Sequence, residues 1–148
     1  MKDSADRFIT TAIKRPGGPE TILLVEDDLV VREMTCEILS RSGYLVLTAE
    51  SERQALKAWE RFGRHIDLLL TDVMIPHRSN GLELARKFLR MKPELKIVFT
   101  SGFGPEICSG VPALTGGLFL PKPYSAGTLL RTIATCLNTE EQSTNELN

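Results

Sequence analysis

Five short runs in this chain are apolar without alternating, apart from Asp67 in the third: Ile22–Val25, Leu45–Leu47, Ile66–Leu70, Ile97–Phe99 and Leu118–Leu120. A strand with one wet face reads apolar, polar, apolar. A run whose successive side chains all avoid water needs cover on both faces of its sheet, the situation of a parallel strand between two layers of helices. Each run leads into a stretch of helical period. Val31, Met34, Ile38 and Leu39 fall on one stripe, with Gly43 behind them as a C-terminal cap. Ser51-Glu52-Arg53-Gln54 reads as a capping box opening a helix through Ala55, Trp59 and Phe62. Asn80 caps a third helix with Leu84, Ala85, Phe88 and Leu89 inward. Ser125 caps the last, with Leu129, Leu130, Ile133, Ala134 and Leu137 inward. A fourth helix is expected near Pro105 to Leu114, shortened or kinked by Gly110 and Pro112. Five strands alternating with five helices predict an α/β fold with right-handed crossovers.

The 148 residues, 42% apolar and 25% charged, suit one domain of this kind. The pattern fills residues 21–138; residues 1–20 read as a flexible leader and 139–148 as a flexible polar tail. Eighteen basic against nineteen acidic residues predict no bulk attraction to nucleic acid or to anionic membrane. Ile22–Val25 and Tyr44–Leu47, four residues each, are the longest uninterrupted apolar runs, so neither a bilayer span nor a signal core is expected, and the compartment is expected to be the cytoplasm. Cys36, Cys108 and Cys136 are odd in number and widely spaced, which predicts free thiols rather than a disulfide framework or a zinc site. His65 and His77 read as surface residues and Trp59 as core. Arg86, Lys87, Arg90 and Lys92 read as the solvated side of the third helix.

In open α/β sheets ligands bind beyond the carboxyl ends of the strands. The first run ends in Glu26-Asp27-Asp28, the third in Thr71-Asp72, the fourth in Thr100-Ser101 and the fifth in Pro121-Lys122-Pro123. Two carboxylates about 4 Å apart repel by roughly 4 kcal/mol at an effective dielectric near 20, so three converging acids call for a cation or raised pKa values. Lys122 alone cannot neutralise them. A hard divalent ion suits oxygen ligands, and magnesium takes one or two carboxylates together with phosphate oxygens. Helix capping explains one of the first-strand acids, but neither Asp72 nor the proline-flanked lysine.

These motifs, in this order and spacing, resemble the receiver domains of two-component response regulators across nearly all of residues 21–138. The resemblance implies a flavodoxin-like (βα)5 three-layer sandwich with parallel sheet order 2-1-3-4-5, the order of a general example of the fold. It also implies that Asp72 accepts a phosphoryl group from a phosphohistidine on a sensor histidine kinase or phosphotransfer protein. Asp27, Asp72 and the Met74 backbone carbonyl would ligate Mg2+, Glu26 acting mainly through a bound water, with Asp28 a cap. Lys122 would stabilise the transferring phosphoryl, whose transition-state charge spreads over its equatorial oxygens. The Thr100 hydroxyl would hold a phosphoryl oxygen and draw its loop inward, with room for Phe119, three residues before Lys122, to turn in. Ser101 stands where the family often has Ala. Gly81 lies nine positions after Asp72, a longer spacing than in many receivers and similar to those attached to hybrid sensor kinases.

The expected function is therefore a stand-alone receiver signalling through an unknown downstream protein, with no direct contact to nucleic acid or membrane. It is not an enzyme beyond self-catalysed phosphoryl transfer and slow autodephosphorylation. The ten residues after Asn138 are too few for an output module. The alternatives are a detached C-terminal receiver of a hybrid histidine kinase and an aspartyl-nucleophile phosphatase. The latter usually places its nucleophile and a second acid two residues apart on the first strand, whereas here Asp72 is followed by Val73 and Met74 and the first-strand acids are adjacent. A flavodoxin-type flavin site lacks its phosphate-cradling turn.

Overall fold

The computed structural model of the chain describes residues 19–74, 80–102 and 116–138. Five strands, β1 (Thr21–Val25), β2 (Leu45–Ala49), β3 (Leu68–Asp72), β4 (Lys96–Ser101) and β5 (Leu118–Pro121), form one sheet in the order β2-β1-β3-β4-β5. Every neighbouring pair is parallel. The connecting helices are α1 (Leu29–Arg41), α2 (Glu52–Phe62), α3 (Gly81–Met91) and, after β5, α4 (Ala126–Leu137). Residues 1–18 of the expected leader 1–20, the expected tail 139–148, the fourth helix near Pro105 to Leu114, His77 and Cys108 lie outside the described residues.

The unbroken apolarity of the strands is accounted for by two separate cores. Successive strand side chains point to opposite faces. Leu23, Val25, Leu47, Ala49, Leu69, Ile97 and Phe99 therefore enter a core shared with α2 and α3. Their neighbours Ile22, Leu24, Val46, Leu68, Leu70, Val98 and Leu120 enter the other, shared with α1 and α4. A polar substitution anywhere along β3 would thus reach one core or the other.

The helix starts follow their local chemistry. Asp28 Oδ1 accepts from the amides of Val30 and Val31, and Asn80 Oδ1 accepts from Glu83 N at 2.7 Å. Ser51 Oγ accepts from Gln54 N, while the Gln54 side chain reaches one residue further back than a standard capping box and accepts from Glu50 N. Ser125 Oγ caps α4 through Thr128 N. Trp59 lies in the core, its ring stacked on Phe88 at 4.1 Å between centroids. Cys36 and Cys136 are free thiols.

Four expectations change. Met34, expected inward, is 47% exposed, and the buried α1 position beside it is Thr35. The helix turns Thr35 and Leu39 inward, and the Thr35 hydroxyl is bonded there to Tyr124 OH from the segment after β5. On α4 the inner line is Leu129, Ile133 and Cys136, with Leu130, Ala134 and Leu137 half-buried at its edge. The third strand begins at Leu68 rather than Ile66, because Ile66 N closes the 3-10 turn Gly63–His65 by bonding Gly63 O. Lys92 is not simply solvated: its ammonium donates to the carbonyls of Arg64 and Ile66 and holds that turn.

Candidate functional site

Register brings the strand ends level. Val25 pairs with Thr71, and Asp72 with Thr100, so the residues just beyond them share one rim. Asp72, Thr100 and Leu120 share the parity of the residues on the α1/α4 side, and Glu26 and Lys122 continue that alternation past their strands. Thr100 and Ser101 are buried at the end of β4, and Lys122 N donates to Ser101 O at 2.9 Å, fixing where the lysine leaves the sheet. Phe119, of opposite parity, is half-buried against the other core and pairs in register with Phe99.

Within this rim Lys122 Nζ donates to Oδ2 of Asp72 at 2.7 Å and to Oε1 of Glu26. Asp72 Oδ1 accepts from the amide of Met74 at 2.9 Å, so the contact through Met74 is made by its N–H. Asp27 is exposed beside them, whereas Asp28 is engaged as the α1 cap. Of the expected site residues, Glu26, Asp27, Asp72 and Lys122 converge, Met74 and the buried Thr100 and Ser101 adjoin them, and Phe119 belongs to the neighbouring core.

Burial raises the Glu26 carboxyl above its usual range; the bond and charge of Lys122 oppose this, and the charges of Asp72 and Asp27 add to it. Burial alone would lower Lys122, but hydrogen bonds and charge from Asp72 and Glu26 hold it above the usual lysine value. Oε2 of Glu26 is buried without a hydrogen-bond partner, the one such side-chain oxygen among the described residues. An orphaned buried oxygen is costly. Glu26, Asp27 and Asp72 each bring a carboxylate oxygen to within 4.8 Å of the others. Three hard oxygen donors, one of them unsatisfied, fit a divalent cation of the magnesium type.

Three supporting features escape a reading of motifs. Arg32 Nη1 donates to the carbonyls of Glu26 at 2.8 Å and Asp27 at 3.3 Å, clamping the acidic pair. Gly81 lies so close to β3 that a Cβ on it would stand 2.2 Å from Asp72 O. Tyr124 OH is hydrogen-bonded to Thr35 Oγ1 at 2.7 Å, joining the loop after Lys122 to α1. The signal for Gly81 was a glycine where α3 starts. Arg32 and Tyr124 carry none without the fold, since their partners are a backbone bend and a side chain 89 positions away.

The response regulator receiver domain model matches residues 22–134. The sensor kinase CckA of Brucella abortus is 34% identical over 125 residues, which are 84% of this chain and 13% of that protein. The response regulator receiver protein CpdR of the same organism is 39% identical over 83 residues, 55% of this chain and 66% of that one. The chain thus spans less than two thirds of either relative. Among solved structures, a CheY-like receiver domain protein of Methanospirillum hungatei superposes with a TM-score of 0.75 at 26% identity, covering 85% of this chain and 99% of that one. With its sheet order, its rim of acids and lysine, and a family match over most of its length, this chain belongs to the response regulator receiver domain family.

Proposed function

We propose that Asp72 is the phosphoacceptor of a two-component signalling step, receiving its phosphoryl group from a phosphohistidine on a partner protein. The observation that carries this reading is the carboxylate of Asp72 at a strand end, 9% exposed and held by Lys122 on one oxygen and by Met74 N–H on the other. A P–O bond forms to Asp72 as the donor's P–N bond breaks, its electron pair returning to the imidazole. Lys122 is already in place to follow the negative charge from the carboxylate to the phosphoryl oxygens. Glu26, Asp27, Asp72 and the Met74 carbonyl hold Mg2+. Bound there, the ion supplies positive charge to the carboxylates and the incoming phosphoryl oxygens. Thr100, with Ser101 beside it, receives a phosphoryl oxygen and draws its loop inward, making room for the half-buried Phe119 to turn in as the output signal.

The partner is a sensor histidine kinase or phosphotransfer protein. The start of α1, next to the acids, exposes Leu29 (56%), Val30 (73%) and Met34 (47%), an apolar face suited to a docking helix of the donor. The output passes to a downstream protein, without direct contact to nucleic acid or membrane, in the cytoplasm. No described helix is long and apolar enough to cross a membrane. The receiver unit is bounded by residues 21 and 138, without enzymatic turnover beyond its own phosphorylation and slow autodephosphorylation. The match to CckA over 84% of the chain favours a second reading, a receiver detached from a hybrid kinase.

Incubation with Mg2+ and acetyl phosphate tests the core of this. One acid-stable, base-labile phosphoryl per chain is expected, absent in Asp72→Asn and without magnesium. Multiple turnovers would instead indicate a phosphatase, and label persisting in Asp72→Asn would move the acceptor elsewhere.

A further inference from the structure

Thr35 is a polar residue with no exposed surface on the inward face of α1, where Val31, Ile38 and Leu39 are its apolar neighbours. A hydroxyl there is costly unless it is bonded. Its partner is Tyr124 OH, 2.7 Å away, from the segment between β5 and α4. The Tyr124 ring packs on the α1/α4 core. Only Pro123 separates Tyr124 from Lys122, and a proline ring removes one backbone freedom from the link. On its other side, Tyr124 adjoins Ser125, whose side chain caps α4. The phenol is therefore tied at one end to a helix start and at its tip to α1, and Lys122 hangs from this anchored segment.

The reach of Lys122 depends on that anchor. Its ammonium must meet Asp72 on β3 and Glu26 just past β1, passing over β4, which lies between β5 and β3. The segment is held to the sheet on the near side by Lys122 N to Ser101 O, and to α1 by the two hydroxyls. We propose that Tyr124 and Thr35 are a positioning pair that sets the placement of the Lys122 ammonium in the acidic pocket. Neither touches the reacting atoms; both act through the lysine. The catalytic consequence rests on the phosphoacceptor reading above, while the placement itself does not.

Two measurements on the full chain decide it. In lysine-selective 15N NMR the Lys122 ammonium should move toward the free-lysine position in Tyr124→Phe and in Thr35→Val, and stay in place in Thr35→Ser, which keeps the hydroxyl. An unchanged resonance in Tyr124→Phe and Thr35→Val would overturn the proposal. With Mg2+ and acetyl phosphate, each of those two variants should lower the maximal phosphorylation rate roughly three- to tenfold, by analogy with other small misplacements of reacting groups. The double variant should be no slower than the slower single. In a Lys122→Ala background, Tyr124→Phe should change nothing. An equal slowing in that background would show a structural bond and nothing more. If the unaltered chain takes no phosphoryl at all, the phosphoacceptor reading falls, and the ammonium resonance still decides the positioning.

Discussion

Nζ of Lys122 lies 2.7 Å from Oδ2 of Asp72, tying the end of β5 to the end of β3 across the strand between them. The same ammonium donates to one oxygen of Glu26, just past β1, so a single cation joins three strand ends and offsets the repulsion between two of their acids.

Replacing that cation exposes the repulsion. Lys122→Ala leaves the buried Glu26 and Asp72 without their counter-charge, and the folded state should lose about 2 kcal/mol. The loss is below that of a fully buried pair because the lysine side chain is 19% exposed. Urea unfolding with and without Mg2+ measures it. Magnesium should restore part of the stability by binding the folded state, and equal midpoints for variant and parent in metal-free buffer would deny the bridge any stabilising role.

Gly81 is needed for its lack of a side chain. A Cβ would sit 2.2 Å from the Asp72 carbonyl oxygen, and backbone cannot yield as a side-chain tip can. Gly81→Ala should cost about 2–3 kcal/mol and displace Asp72, weakening both stability and phosphorylation. Thermal unfolding and the acetyl phosphate assay read the two effects together; an alanine tolerated in both would mean that α3 shifts freely away from β3.

The exposed apolar face of α1 makes a prediction about the phosphodonor. Val30→Asp puts a charge on a residue that is 73% exposed, so stability should change by less than about 0.5 kcal/mol. Transfer from a cognate kinase or phosphotransfer protein should slow at least about tenfold, the size expected of a lost interface contact. Phosphorylation by acetyl phosphate should be unaffected. Equal rates with both donors would remove α1 from the docking surface.

Cys136 ties stability to alkaline pH. Burial pushes its thiol up to about 11 from an ordinary 9.0, with the charge of Lys96 pulling the other way. Below pH 9 the thiol is protonated in both states and its contribution is fully present. Above it the unfolded chain loses the proton first, so stability falls, by up to about 3 kcal/mol as pH passes the folded value. Chemical denaturation from pH 8 to 11 should be flatter in Cys136→Ala than in the parent. Parallel curves would assign the alkaline loss to other groups, such as Tyr44 and Tyr124, whose phenols burial also raises.

Much of the site was legible because strand ends are local. Glu26, Asp72, Thr100 and Lys122 each lie within two residues of the end of an apolar run, and a parallel sheet puts such ends on one rim. The caps Asp28, Ser51, Asn80 and Ser125 were legible for the same reason, since each acts within three residues. Met34 misled because apolar spacing alone does not distinguish two adjacent stripes of one helix. The stripe that turned inward carries Thr35, a polar residue that hydropathy places outside and that is bonded there to Tyr124.

The residue order alone determined that the strands are buried on both faces and that acids, hydroxyls and a lysine meet beyond them, because alternation and capping act over a few bonds. Only the tertiary structure decided which oxygen of Asp72 faces Lys122, that Arg32 clamps the acidic bend, that Gly81 must stay bare and that Tyr124 finds Thr35. Each of those contacts depends on the register of neighbouring strands and on how helices seat against them, and such distances are set only when the whole sheet has formed.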